Sequence, residues 1–253
     1  MHQFKTFDLR LQMAINIELG RRLSSAILAG CLGISLLAAN SYAEDRIRWV
    51  PDPDRGNVGS TLSGGRRGQN TASCNAAANT TNLALIVPGD QSSLLTAIES
   101  PTLAWHTETD TPVQMSFYLS DPNQATPLYT QTFQLDDSAT VSMTLPKALK
   151  LEVDKRYRWT VSVLCPGEHQ AEISARSFIE RINGESLHLD GLSNTEQASI
   201  YAEHGIWYDA IAVLLSPESQ RVTNAETMAQ MLLEQSQNSA EINLSTVVHF
   251  SPL

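Results

Sequence analysis

Histidine is the residue type in this sequence best suited to acid–base or metal chemistry near neutral pH, and the chain contains six histidines. They are His2, His106, His169, His188, His204 and His249. No two of them are spaced as H-x-H, H-x-x-H or H-x-x-x-H, the arrangements that place two imidazoles on one metal ion. A zinc site would have to be assembled from distant parts of the chain, so the sequence predicts no metal ligand.

Two of these histidines have a carboxylate close by, since His188 stands two residues before Asp190 and His204 directly follows Glu203. A carboxylate can orient an imidazole as a general base. A hydrolase would need two of His106, His188 and His204 to meet near a carboxylate in a cleft. No G-x-S-x-G motif supplies a nucleophile. We therefore expect no catalytic residue and no cofactor, and keep a hydrolase as the alternative.

Three other stretches contain residue types used in binding sites but lack the required spacing. The glycine-rich segment from Gly56 to Gly68 has no GK[ST] sequence, which a phosphate-binding loop requires. Asp52 and Asp54 begin an EF-hand-like pattern that lacks the later glycine and glutamate. Asp136 and Asp137 lie in a predicted hairpin turn, where neither carboxylate is desolvated enough for acid–base catalysis.

Aromatic side chains are the candidates for a binding surface. Trp105, Tyr118 and Tyr208 could form flat contacts with a sugar or a peptide if they are exposed. Tyr118 alternates with apolar residues in a predicted strand and is therefore expected on its solvated face. For Trp105, burial in the core is the favoured alternative.

The charge balance argues against a nucleic acid as the partner. Lys and Arg total 17 and Asp and Glu total 27, which gives a formal net charge of −10. Phosphate backbones and anionic membrane surfaces repel such a chain. A hydrophobic fraction of 42% over 253 residues is sufficient for a large core, which excludes a wholly disordered protein.

The N-terminal region, residues 1–43, has the layout of an export signal. Arg21 and Arg22 precede an uncharged, largely apolar run, and small residues then precede a cleavage site between Ala43 and Glu44. The pattern predicts a periplasmic or secreted protein that has no stable membrane span once the signal is removed.

Two alternatives for this region stay open. Without cleavage, the apolar run could anchor the chain, because its length is at the lower limit for a membrane-spanning helix. The sequence LAGC ending at Cys31 also resembles the lipobox of bacterial lipoproteins, in which Cys31 would carry the lipid. The segment before the apolar run is long, so translation could start at Met1 or at Met13.

The expected cysteine chemistry depends on export. Cleavage after Ala43 removes Cys31 and leaves Cys74 and Cys165 in an oxidising compartment, where two cysteines usually pair. The sequence therefore predicts a disulfide between Cys74 and Cys165. A redox-active pair is disfavoured because the C-x-x-C spacing is absent.

Residues 82–183 carry the strand patterns, and the strongest of these runs from Lys155 to Cys165. Its apolar residues, Trp159 among them, occupy every second position, which is typical of a strand with one buried face. About seven such strands with short turns predict a β-sandwich of the fibronectin type III or immunoglobulin kind. The spacing of Leu151 and Tyr157 resembles the approach to a tyrosine corner.

Residues 184–253 are predicted to form helices and a C-terminal tail that ends in an edge strand. Ser193 and Glu196 form a capping box at the start of one helix, Gly205 ends it, and a second helix follows. The pair resembles a tetratricopeptide hairpin, and we expect it to cap the sandwich.

Segment 44–81 is rich in Gly, Asn and Arg and is predicted to be a flexible linker.

Several segments together resemble the bacterial family known as domain of unknown function 928. They are GGRRG before Cys74, LALIVPG at 83–89, SPTLAWH at 100–106, VDKRYRWTVSVLC at 153–165 and YAEHGIWYDAI at 201–211. The chain departs from the family pattern in carrying His106 and Thr107 after the tryptophan. The resemblance implies an exported protein of photosynthetic bacteria and implies no activity, because the family has none assigned.

These patterns together predict a mainly β protein with C-terminal helices. We expect a non-catalytic interaction or structural protein of the periplasm or envelope, whose partner is an unidentified envelope protein or a glycan. The alternative is a hydrolase or a carbohydrate-binding module that uses exposed aromatic side chains or a histidine and a carboxylate.

Overall fold

The computed structural model describes residues 47–52, 61–63, 81–89, 94–165, 171–221, 224–236, 238, 240 and 242–251. Within these residues it contains two β-sheets and three α-helices. Residues 41–253 form one compact unit. The predicted cleavage site at Ala43 and Glu44, the alternative lipid site at Cys31 and the cysteine at Cys74 lie outside the described residues.

The ten strands of the described residues are numbered in chain order. They are β1 Thr61–Ser63, β2 Asn82–Leu85, β3 Leu95–Thr96, β4 Thr102–Glu108, β5 Val113–Ser120, β6 Tyr129–Leu135, β7 Ala139–Thr144, β8 Arg156–Leu164, β9 Ala171–Arg181 and β10 Val247–Phe250. The helices are α1 Asn194–Glu203, α2 Trp207–Leu214 and α3 Ala225–Gln235, with a short 3-10 helix at Ser219–Arg221. The chain is therefore mainly β with C-terminal helices, as its patterns predict.

The strands form two sheets. The first sheet has the order β1-β9-β8-β5-β6, and β3 also pairs with β9. The second sheet has the order β10-β7-β4-β2. Neighbouring strands are antiparallel except for β10 beside β7 and β3 beside β9, which are parallel. The edge strand predicted near the C-terminus is confirmed as β10.

Strand β8 lies in the interior of the first sheet, as its alternating pattern predicts. Tyr157, Trp159 and Val161 are each at most 2% exposed. The ring of Trp159 lies 6.4 Å from that of Trp105 on β4 and 6.3 Å from that of Phe117 on β5, measured between centroids. Burial of these large rings from both sheets makes the space between the sheets the main core.

Tyr157 forms the predicted tyrosine corner. The backbone N–H of Glu152 donates a hydrogen bond to the Tyr157 hydroxyl over 3.1 Å. Asp154, between them, has a φ of 59°, which allows the chain to turn sharply before β8. The N–H of Asp154 donates to the Arg181 carbonyl over 2.7 Å. The corner therefore attaches the loop before β8 to the end of β9.

Two parts of the predicted linker 44–81 have a definite structure, so that prediction is wrong for them. Ile47 and Trp49 are buried in the core, and Thr61–Ser63 form β1 beside β9. Ile47 and Trp49 alternate with arginines over only four residues before Pro51, a run too short to predict a strand. Most of the remainder of this segment lies outside the described residues.

Helix α1 begins and ends at the residues that the sequence indicates. The Ser193 hydroxyl accepts from the Glu196 N–H over 3.4 Å, and the Glu196 carboxylate accepts from the Ser193 N–H over 2.8 Å, which completes the capping box. Gly205, directly after the C-cap residue of α1, has a φ of 70°. A side chain would strain that conformation, so glycine suits the end of the helix.

The helices share one hydrophobic core with the sheets. The Trp207 indole of α2 donates to the Ile86 carbonyl over 2.9 Å and packs edge-on against Trp49, with centroids 4.9 Å apart. The Gln235 side chain of α3 donates to the Ile47 carbonyl and accepts from the Trp49 N–H, both over 2.8 Å. The predicted boundary between sandwich and helices separates two kinds of secondary structure but not two cores.

Candidate functional site

The three histidines on which a hydrolase would depend lie on different elements. On β4, His106 is 7% exposed and its Nδ1 lies 3.1 Å from the Thr140 hydroxyl. Burial lowers the pKa of His106, which favours the neutral ring. The Nδ1 of His204 lies 2.8 Å from the Ile200 carbonyl, and His188 is exposed in the loop before α1. Within the described residues, the ring nitrogens of His106 and His204 therefore form hydrogen bonds with a hydroxyl and a backbone carbonyl, and not with a carboxylate.

Two of the three predicted surface aromatics are buried, so they cannot contact a ligand in this fold. Trp105 is 0% exposed and Tyr208 is 2% exposed. Trp105 faces inward from β4, opposite Leu85 and Val141 in the register. The favoured alternative of core burial for Trp105 is thus correct. The assignment of Tyr208 to a surface is wrong, because α2 packs its aromatic face against the sheets.

The Tyr208 hydroxyl is the centre of a hydrogen-bonded chain inside the core. It accepts from Nε1 of Trp159 over 2.8 Å and donates to the Phe178 carbonyl over 2.6 Å. Burial raises the pKa of Tyr208, so the phenol stays neutral. Because one hydroxyl forms hydrogen bonds with both the Trp159 N–H and the Phe178 carbonyl, Tyr208 holds α2 against β8 and β9.

The next residue, Asp209, is a buried carboxyl that joins α2 to β3. Its Oδ1 lies 2.5 Å from the Thr96 hydroxyl, and its Oδ2 accepts from the Ala97 N–H over 2.7 Å. Burial raises the pKa of Asp209 to about 7, although the hydrogen bonds from Thr96 and Ala97 oppose this shift. Asp209 therefore changes charge near neutral pH at a joint between helices and sheet.

The middle of the outer face of the second sheet is covered. Its central outward-facing residues are buried, namely Ala84, Ala104, His106, Thr140 and Ser142, whereas Asn82, Glu108 and His249 are exposed. The chain after α3 contributes to the cover, because the Thr140 hydroxyl donates to the Asn243 carbonyl over 2.6 Å. In the part of the chain that the structure describes, the middle of this face is therefore closed to a ligand.

One region of the outer face of the first sheet, which we name the arginine–tyrosine face, is partly open to solvent. It consists of Tyr118, Ser120, Arg156, Arg158, Thr160, Arg176 and Phe178, with Thr130 and Thr132 on β6 beside them. Tyr118 is half-buried there, on the face that the alternation predicts. It remains the candidate surface aromatic.

Tyr118 and Arg158 are neighbours on this face. In the register, Arg158 lies opposite Ser120 on one side and Phe178 on the other, while Tyr118 lies opposite Thr160. Tyr118 and Arg158 are therefore diagonal neighbours on adjacent strands, a relation that brings side chains to roughly 7 Å. A ring and a guanidinium thus point to solvent side by side.

The carboxylates near Arg158 are occupied by other cations. Glu180 pairs with Arg156 over 3.2 Å, and Asp121 pairs with Lys155 over 3.2 Å. Among the described residues, the half-buried residue Arg158 has no carboxylate partner. A planar cation with several free N–H donors is suited to bidentate binding of a carboxylate or phosphate.

A cavity lies between α3 and the segment that follows it. This cavity of about 480 Å³ is lined by Glu226, Thr227, Gln230, Met231, Glu234, Ile242, Asn243 and Leu244. Ile242 and Leu244 are buried, whereas Glu226 and Glu234 are exposed at the rim. The floor of the cavity is therefore apolar and its rim is acidic.

Two further observations limit the chemistry of the described residues. They contain no group of three or more His, Cys, Asp or Glu side chains that could hold a metal ion. None of their helices is both long enough and apolar enough to cross a membrane.

Cys165 directly follows β8 and is 6% exposed. The predicted partner, Cys74, lies outside the described residues, so the Cys74–Cys165 pairing stays a prediction.

Comparison with known protein families supplies the classification. The model of a family described as Domain of Unknown Function (DUF928) matches residues 62–246. The chain belongs to this family. No curated protein matches it. The DUF928 match begins within β1 and ends just before β10, so it includes strands of both sheets and all three helices. The helices are thus part of the family's domain.

Sequence reasoning placed Tyr118 correctly but missed Arg158, Asp209 and the cavity beside α3. Arg158 had a usable signal, because it stands on the solvated side of the strongest strand pattern in an acidic chain. Asp209 had one too, since it is the single charged residue in the apolar helix WYDAIAVL. The cavity had none, because it depends on where the chain after α3 returns.

Proposed function

We propose that this DUF928 protein is a non-catalytic interaction or structural protein of the bacterial envelope. The observation that supports the proposal is the arginine–tyrosine face, which is partly open to solvent and carries Arg158 without a carboxylate partner among the described residues. The histidines that a hydrolase would need bond to Thr140 and to a helix carbonyl instead.

We also propose the finer fold, a fibronectin type III-like sandwich with a tetratricopeptide-like hairpin. Strands β2, β4 and β7 against β6, β5, β8 and β9 give the strand grouping expected of such a sandwich. The Tyr157 corner supports the same assignment. The hairpin of α1 and α2 buries its aromatic residues against the sheets, which supports a structural use for it.

We propose a periplasmic or secreted location, with lipid attachment at Cys31 as the alternative. The support is the signal-like pattern before Glu44. The two cysteines that cleavage would leave, Cys74 and Cys165, also suit an oxidising compartment, where disulfides persist. Cell fractionation distinguishes the outcomes: soluble periplasmic protein supports export and cleavage, and detergent-dependent release that is lost in Cys31→Ser supports the lipoprotein.

The function is tested by affinity capture from envelope extract with matched variants. Arg158→Glu reverses a charge on the arginine–tyrosine face, and Lys147→Glu makes the same charge change at an exposed loop residue after β7. We expect wild type and Lys147→Glu to retain the same envelope component and Arg158→Glu to lose it. Chemical conversion of that component by the wild-type protein would overturn the non-catalytic assignment.

A further inference from the structure

We propose that the arginine–tyrosine face binds an anionic polysaccharide, in which Arg158 pairs with carboxylate groups and Tyr118 packs against the sugar rings. This inference rests on the proposed function, because it names the surface and the partner class of an envelope interaction protein.

The charge of this face is opposite in sign to that of the whole chain. Arg156, Arg158 and Arg176 stand on it with Glu180, whereas the formal net charge of the protein is −10. The pair formed by Arg156 and Glu180 is neutral overall. Arg158 adds a positive charge on β8 that no described carboxylate balances, so an anionic ligand is complementary to this face at Arg158 and is repelled by a chain of negative net charge.

Arg158 is the residue that best recognises the acidic group. Arg158 is half-buried as a residue and lies between Ser120 and Phe178 in the register. A carboxylate from a ligand can accept two parallel N–H bonds from it, which is the strong geometry for this pair. Lysine at the same position would keep the charge but not the paired donors.

The neighbours of Arg158 favour a sugar as the carrier of that carboxylate. Tyr118 lies diagonally beside it and Phe178 lies opposite it on β9, and both rings are half-buried in the sheet surface. Thr130 and Thr132 on β6 add exposed hydroxyl groups. Aromatic faces pack against the apolar faces of sugar rings, while hydroxyl groups exchange hydrogen bonds with sugar hydroxyls. The distance from β6 across β5 and β8 to β9 is three strand spacings, or about 14 Å, which is enough to contact an extended sugar chain.

An anionic membrane fits this face less well. A membrane-binding surface carries large apolar side chains that protrude beside its cations. The exposed large hydrophobic residues of the described chain are Ile98 and Val153, which lie in the loops after β3 and before β8. Neither belongs to the arginine–tyrosine face.

The test measures binding of protein produced from the full chain to three probes: polygalacturonate, neutral dextran, and vesicles containing phosphatidylglycerol. We expect binding to polygalacturonate that weakens as salt is raised, and none to dextran. Arg158→Gln should weaken this binding about 10- to 100-fold, the loss expected for charge-assisted hydrogen bonds. Arg158→Lys should give an intermediate loss, and Tyr118→Ala a loss of at least about threefold. Lys147→Gln removes the same charge elsewhere and should leave affinity within about twofold.

Thermal melting of each variant confirms that it folds, and Arg158→Lys serves as the folded variant if Arg158→Gln does not. Three results would each overturn the proposal of an anionic polysaccharide. They are equal losses of polygalacturonate affinity in Arg158→Gln and Lys147→Gln, binding to dextran as strong as to polygalacturonate, and stronger binding to the vesicles than to polygalacturonate. If polygalacturonate does not bind while the wild-type protein still captures an envelope component, the inference fails and the proposed function stands. If neither binds, both fail.

Discussion

The indole of Trp159 on β8 donates a 2.8 Å hydrogen bond to the hydroxyl of Tyr208 on α2. The same hydroxyl donates to the Phe178 carbonyl over 2.6 Å. The strand with the clearest pattern in the sequence is therefore joined to the helices by a polar chain inside the core. This chain explains why α2 takes a single orientation against the sheets, since apolar contacts alone are less directional.

Tyr208→Phe should lower the free energy of unfolding by about 2–3 kcal/mol, because the buried N–H of Trp159 and the Phe178 carbonyl both lose a partner. Urea denaturation at pH 7 measures the change. Tyr118→Phe is the control, since its hydroxyl lies on the half-buried outer face, and should stay within about 0.5 kcal/mol of wild type. A similarly small effect of Tyr208→Phe would contradict the structural role of the chain.

Asp209 should make stability depend on pH near neutrality. Its pKa is raised to about 7 in the fold from an ordinary value of 3.8, so the folded state binds the proton more tightly. This contribution is complete below about pH 4 and is lost as pH rises through 7. The facing phenol of Tyr201 stays neutral in this range, because burial and Asp209 raise its pKa to about 12.

The measurement is the unfolding free energy of wild type and of Asp209→Asn between pH 5 and pH 8. Asparagine resembles the protonated acid and does not titrate, so wild type should lose roughly 1–3 kcal/mol relative to the variant as the pH rises. His106 and His249 titrate in both proteins and cancel in the comparison. A difference that is constant across this range would show that Asp209 does not change protonation.

Tyr157→Phe should cost about 1 kcal/mol, the usual value of one hydrogen bond, because the Glu152 N–H loses its acceptor. Denaturant unfolding beside the Tyr118→Phe control gives the value. No loss of stability would mean that water replaces the hydroxyl and that the corner contributes only shape.

Cys165→Ser should lower the melting temperature of the oxidised protein, with a stability loss of about 2–4 kcal/mol. In dithiothreitol the variant and the wild type should melt almost together. Cys74→Ser should reproduce the effect if Cys74 is the partner, and a double variant should add nothing further. Different losses for the two single variants would refute the Cys74–Cys165 pairing.

Much of the architecture was predictable because it depends on local patterns. The alternation around Trp159 fixed which face of β8 is buried, and Ser193 with Glu196 fixed the start of α1. Both signals come from residues a few positions apart. The Tyr157 corner was predictable for the same reason.

The remainder depends on contacts between distant parts of the chain. The burial of Ile47 and Trp49 requires α3, whose Gln235 binds their backbone. The burial of Tyr208 requires Trp159 to present its indole at that place. The arginine–tyrosine face requires the pairing of β5, β8 and β9 in one register, which no local pattern specifies.

The bond between Gln235 and Ile47 also determines when the protein can finish folding. A chain that emerges from a ribosome or a translocation pore with its N-terminus first presents Ile47 well before its partner, because Gln235 follows it by 188 residues. Until α3 is synthesised, the apolar side chains of Ile47 and Trp49 stay exposed to solvent, and a chaperone that binds unfolded chains could bind them there. Completion of the core is thus a late step of synthesis.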